Sequence, residues 1–163
     1  TCAGTRTVSA MNKIDRLPKV TTIETDYALW CAEQGALLRA GRLDAIDREN
    51  LAEEIESLGR SQEDEIENKL GVLLMHLLKW QFQPERRSNS WRATIEEQRY
   101  RIARRLRQNP SLRDFPATVL NDEYSLARLK ASAGTGLGED SFPADCPYQL
   151  RDILAADWYP DAN

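Results

Sequence analysis

The chain has 163 residues, of which 41% are hydrophobic and 29% charged, and its formal net charge is −4. That length suits about one domain with a single hydrophobic core, and no apolar run approaches the roughly 20 residues that a membrane-crossing helix needs, so membrane insertion is excluded. Three cysteines, Cys2, Cys31 and Cys146, stand far apart with no C-x-x-C pair, which suggests neither a disulfide framework nor a zinc ribbon and makes a reducing cytoplasm the expected setting.

Thr1 to Ala10 lacks the apolar segment of a secretory signal, and Met11 is a candidate start. Residues 1–22 are expected to form a flexible N-terminal arm ahead of a single helical domain over 23–163. Helical spacing dominates the remainder, and no strand-like alternation lasts long enough to build a sheet, so the expected fold is all-α, a compact bundle of about five helices. The first helix is expected over Asp26 to Ala40, capped by Thr25 or Thr22, with Trp30, Leu37 and Leu38 near one stripe and Gly41 in the left-handed position at its end. A second helix runs from Asp47 to Leu58 and buries Leu51, Ile55 and Leu58, spaced i, i+4, i+7; Gly59 ends it. Ser61 and Asp64 form a variant capping box for a third helix, whose stripe of Ile66, Leu70, Leu73, Leu74, Leu77 and Leu78 faces the core until Pro84 stops it.

Ser90 caps the fourth helix, Trp91 to Gln108, with Trp91, Ile95, Ile102 and Leu106 along its apolar face. Asn109-Pro110-Ser111 is a breaker. The fifth helix, to about Ser132, either starts late, with Asp114 as its cap and Pro116 in the first turn, or kinks after Ser111, and the late start is favoured. Gly134, Gly136 and Gly138 then open an irregular C-terminal tail in which Tyr148 to Leu154 looks helical, and Phe142, Tyr148, Trp158 and Tyr159 are expected to clamp it to the bundle.

Charge is segregated. From Asp44 to Glu67 ten acids face two bases, a balance of −8, whereas from Lys79 to Arg107 nine bases face three acids, a balance of +6. The overall negative charge argues against unspecific nucleic-acid affinity, and the opposed segments suit pairing within the chain or across a homodimer.

Several wordings in the chain are distinctive: the run Glu49-Asn50-Leu51-Ala52-Glu53-Glu54-Ile55-Glu56-Ser57-Leu58-Gly59-Arg60, the stretch from His76 to Arg99, Asn109-Pro110-Ser111-Leu112, Phe142-Pro143 followed by Cys146-Pro147-Tyr148, and Asp157-Trp158-Tyr159-Pro160. Together, over about Asp26 to Pro160, they resemble the bacterial family catalogued as domain of unknown function 29. The resemblance implies no substrate, cofactor or catalytic residue. Candidates therefore come from side-chain chemistry.

His76, the only histidine, sits among Leu73, Leu74, Leu77 and Leu78, where it must find a hydrogen-bond partner or lose free energy on desolvation. It reads first as a partnered core residue. Lys79, Trp80 and Gln83 follow at i+3, i+4 and i+7, lining one side of the helix with an ammonium, an indole and an amide. A carboxylate from Glu53, Glu54 or Glu56 could orient His76 if a turn at Gly59-Arg60 makes the second and third helices antiparallel, and the pair would then suit general acid–base work. Arg86, Arg87 and Arg99 could hold a carboxylate or phosphate, with Arg87 and the N–H groups of residues 90–93 forming an anion niche. Trp80 and Trp91 read as packing residues. Ordinary metal-ligand spacing is lacking, because the residue three before His76 is Leu73, and no phosphate loop, dinucleotide fingerprint or serine nucleophile elbow occurs, so no metal or cofactor is expected. The leading reading is a binding or protein–protein interaction module, with a homodimer or another protein as the expected partner. The rival is an enzyme for a phosphorylated or nucleic-acid substrate, with His76 and Glu53 catalytic and Lys79, Gln83, Arg87, Trp91 and Arg99 binding.

Overall fold

A computed structural model describes residues 21–163, and these are all-α. Five α-helices follow in order: α1 (Tyr27–Arg39), α2 (Arg48–Phe82), α3 (Asn89–Gln108), α4 (Phe115–Thr135) and α5 (Leu150–Leu154). Single 3-10 turns occur at Pro84–Arg86, Pro110–Leu112 and Glu139–Ser141. Cys2, Met11 and residues 1–20 of the expected N-terminal arm lie outside the described residues. Two compact units divide within α2, between Ile55 and Glu56.

In the first unit, α1 is capped by Asp26, whose carboxylate accepts the Leu29 N–H at 2.9 Å. The expected threonine caps do not serve. Thr22 and Thr25 instead close the preceding turn on each other, the Thr22 N–H donating to Thr25 Oγ1 and the Thr25 hydroxyl to Thr22 O. Gly41 takes the left-handed conformation, with φ 69°, as expected. Trp30 and Gln34, one turn apart, are the residues α1 buries. Trp30 Nε1 donates to Asp47 Oδ2 at 3.2 Å, Gln34 Oε1 accepts the Asp47 N–H at 2.7 Å, and Asn50 Nδ2 donates to Asp47 Oδ2 at 2.7 Å. Asp47 thus ties α1 to the start of α2, and the Asn50 amide leads the contacts that hold its carboxyl below the usual range.

The break expected at Gly59 is absent, and the expected second and third helices are one, α2. One glycine lowers helix propensity by only about 1 kcal/mol, and the flanking turns outweigh it. Ser61 does not cap a new helix; its hydroxyl donates back to Leu58 O at 2.7 Å, a bond compatible with a continuing helix. Nor are Leu51, Ile55 and Leu58 buried together in the way their spacing predicts. Ile55 is 60% and Leu58 67% exposed, and Leu51 is half-buried, so this stripe is not a core face among the described residues.

The second unit holds the main core. Ile66, Leu70, Leu73, Leu74, Leu77 and Leu78 on α2 are fully buried, as their spacing predicts, each worth about 2 kcal/mol of gross burial. Ile95 and Ile102 of α3, Tyr124, Ala127 and Ala131 of α4, and Phe142, Tyr148 and Ile153 of the C-terminal segment complete it. Asp114 precedes α4 with Pro116 in its first turn, as expected, but α4 continues through Gly134 to Thr135 and ends on left-handed Gly136. The tail aromatics do clamp: Phe82 meets Phe142 edge-on at 5.1 Å, Tyr148 meets Trp158 at 5.6 Å, and the Tyr148 hydroxyl donates to Gln81 Oε1 at 2.6 Å.

Candidate functional site

The C-terminal turns of α2 carry His76, Lys79, Trp80 and Gln83, and the 3-10 turn at Pro84–Arg86 leads the chain into α3. The cap of α3 is Ser88, not the expected Ser90: Ser88 Oγ accepts the Trp91 N–H at 3.2 Å, and Ser88 O accepts from Arg92 N–H at 3.1 Å. Ser90 lies in the first turn, where its carbonyl accepts from Thr94 Oγ1. Two of the N–H groups assigned to an anion niche are therefore already used.

Arg87 Nε donates to Trp80 O at 2.9 Å, and the guanidinium lies 5.0 Å from the Trp80 ring centroid. Trp80 also meets Tyr159, with centroids 4.8 Å apart, and the Arg99 guanidinium lies 5.3 Å from the Tyr159 ring. Two adjacent aromatic rings, Trp80 and Tyr159, thus stand between two guanidiniums, Arg87 and Arg99. Arg99 is 4% exposed, with Nε donating to Ile153 O at 2.8 Å, Nη1 to Glu96 Oε1 at 2.9 Å and Nη2 to Trp158 O at 2.6 Å. The Tyr159 hydroxyl donates to the same Glu96 oxygen at 2.7 Å, and burial leads the causes that raise its pKa. Arg99 is spent on the chain's own carbonyls and carboxylate, fastening the C-terminal segment to α3.

Lys79 Nζ lies 4.5 Å from the Trp91 ring centroid. Gln83 is buried and its Nε2 donates to Thr135 O at 3.2 Å, tying the end of α2 to the end of α4. Gln83 Oε1, Arg87 Nη2 and Gln98 Oε1 are buried without a hydrogen-bond partner among the described residues. Trp80 is half-buried and packed against the core, which agrees with its expected role, whereas Trp91 is half-buried with the Lys79 ammonium over its ring.

The His76 ring is half-buried, with Nδ1 2.8 Å from Val72 O on its own helix. A carbonyl only accepts, so Nδ1 carries the proton in the neutral ring. Desolvation by burial pushes its pKa below the ordinary 6.5; the Val72 carbonyl opposes the shift and the Lys79 charge adds to it. The expected carboxylate does not arrive. Glu53, Glu54 and Glu56 stand on the same helix as His76, and the turn that would fold them back is absent. At about 1.5 Å per residue, Glu56 is about 30 Å from His76 along α2. The structure therefore gathers Lys79 with Trp91, and Arg87 with Trp80 and Arg99, without building a His76–carboxylate pair. Among the described residues no three His, Cys, Asp or Glu side chains are grouped to hold a metal ion, and no helix is long and apolar enough to cross a membrane.

Two features were missed in the sequence. Arg99 falls four residues after Ile95 and three before Ile102, inside the apolar stripe of α3, and that register was the available sign of a buried arginine. The exposed stripe on α2 carried no sign, because burial and exposure share its spacing.

A family model described as "Domain of unknown function DUF29" matches residues 22–159. No curated protein and no solved structure matches the chain.

Proposed function

Since the chain belongs to the DUF29 family, whose description names no reaction, we propose from the chain's surface that it is a protein interaction module that binds a second copy of itself through the Leu51–Ile55–Leu58 stripe of α2. The carrying observation is the exposure of Ile55 and Leu58, 60% and 67%, on an i, i+3 face. Single exposed apolar residues are ordinary, but a row on one helix face is the form in which helices recognise partners. The same stretch of α2 carries Glu53, Glu54, Glu56 and Glu63, while α3 presents exposed Arg101, Arg104 and Arg107. Opposite charge on the same chain favours a like partner over nucleic acid. Around His76, an own-helix hydrogen bond and a lowered pKa support a packing role.

Sedimentation equilibrium tests this reading. The expected result is a dimer at low salt that weakens as salt rises, because exposed charge pairs are screened beyond about 10 Å at 0.1 M. Leu58→Glu should give a monomer under the same conditions. A wild-type chain that remains monomeric at every salt concentration overturns the proposal.

A further inference from the structure

Resting on that reading, we infer that the stripe of one copy docks into the cleft that Leu106, Arg107, Pro110 and Arg113 form where α3 ends on its partner. The cleft has a volume of about 470 Å³ and opens to solvent. Its shape comes from a helix end. Asn109 leaves helical geometry, its Nδ2 donates to Arg105 O at 3.0 Å, and Pro110 starts a 3-10 turn that brings Arg113 to the same cleft as Arg107. Half-buried Leu106 and exposed Pro110 supply an apolar floor, and exposed Arg107 and Arg113 flank it.

Charge identifies the occupant. Arg99, Arg101 and Arg105 are matched with Glu96, Glu97 and Glu65 at 2.9, 2.7 and 2.6 Å. Arg107 and Arg113 have no carboxylate within ion-pair distance among the described residues. A ligand for this cleft needs apolar side chains for the floor and carboxylates for the rim, and α2 offers both. Ile55 and Leu58 form the apolar row; Glu56 and Glu63, two helical turns apart, stand about a quarter turn from Ile55 on the side away from Leu58, and Glu56 also lies 3.8 Å from exposed Arg60. A phosphate backbone would satisfy the arginines but leave Pro110 and the exposed part of Leu106 in water. The second copy satisfies both.

Reciprocal charge reversal tests the pairing. One variant carries Glu56→Arg with Glu63→Arg, the other Arg107→Glu with Arg113→Glu. Each alone places like charges across the contact and should weaken dimerisation at least about tenfold. Mixed one to one, the two variants restore opposite charges at both reciprocal contacts, and the dimer should return to near wild-type affinity. Should either reversal unfold the chain, the corresponding alanine pairs replace it and should weaken the dimer less. A wild-type monomer would sink self-association itself. A wild-type dimer indifferent to Arg107 and Arg113, or a mixture that fails to pair, would overturn the cleft and leave self-association standing.

Discussion

Arg99 occupies a core register, between Ile95 and Ile102, and remains tolerable there because carbonyls from Ile153 and Trp158 and the Glu96 carboxylate replace its water. Arg99→Met keeps the volume and removes the donors, leaving two carbonyls unpaired. A loss of about 3–5 kcal/mol is expected in chemical denaturation, together with faster proteolysis after Leu154. Arg99→Lys should rescue little, because an ammonium cannot reproduce the planar fork. An unchanged midpoint would mean that the C-terminal segment is held by its aromatics alone. His76 makes a different prediction. Its folded pKa lies below the unfolded value near 6.5, so the unfolded chain binds more protons as pH falls through that value. The contribution of His76 to stability is therefore complete above about pH 6.5 and declines below it. His76→Gln should flatten the decline measured by denaturant midpoints between about pH 7 and 5; an equally steep decline in the variant would assign it to other groups.

At the scale of elements, the continuity of α2 is open to a direct test, because a Cβ at Gly59 would meet nothing within 4 Å and its backbone is not left-handed. Gly59→Ala should stabilise the chain by about 1 kcal/mol, whereas a helix-ending glycine at that position would make the same change destabilising. Gly71 is the contrasting case. A Cβ there would come within 2.5 Å of Glu123 Oε2, so α4 places a carboxylate directly on the α2 backbone. Desolvation, reinforced by Glu67, raises the Glu123 pKa, and Lys130 opposes it. Gly71→Ala should gain little in the native background, because the carboxylate must move. In a Glu123→Ala background it should recover up to about 1 kcal/mol, and equal effects in both would refute the contact. These cases show what the sequence could convey. The buried row from Ile66 to Leu78, the stops at Pro84 and Pro110 and the start of α4 before Pro116 rest on local rules and were legible. Gly59 was not, since its cost is comparable to the propensity of the surrounding turns, and neighbouring hydroxyls such as Ser88 and Ser90 compete for one cap on nearly equal terms. The spacing of His76, Lys79 and Gln83 was legible as helix geometry. The partners of Gln83, Arg99 and Glu96 come from 52 to 63 residues further along, and no local pattern reports contacts at that range.

Over the whole molecule, the proposed self-association would draw on residues other than those that drive folding. The buried row of α2 stabilises the monomer, and the proposed partner would cover exposed Ile55 and Leu58 beside half-buried Leu51. Their energetics should separate accordingly. Replacing Ile55 and Leu58 together with serine removes side chains that touch mostly water in the monomer, so in dilute protein the melting temperature should change by no more than exposed-surface substitutions usually cause, about 0.5 kcal/mol in stability. A partner that binds only the folded chain adds stability by mass action, about 2.7 kcal/mol at a hundredfold excess over Kd, which corresponds to about 5–10 °C for a chain of this size. The wild-type melting temperature should therefore climb with protein concentration at low salt, and that of Ile55→Ser/Leu58→Ser should stay flat. Calorimetry over a hundredfold concentration range gives both slopes in one experiment. Parallel flat lines would mean that the exposed row stabilises no dimer, and parallel rising lines would move the interface to another surface.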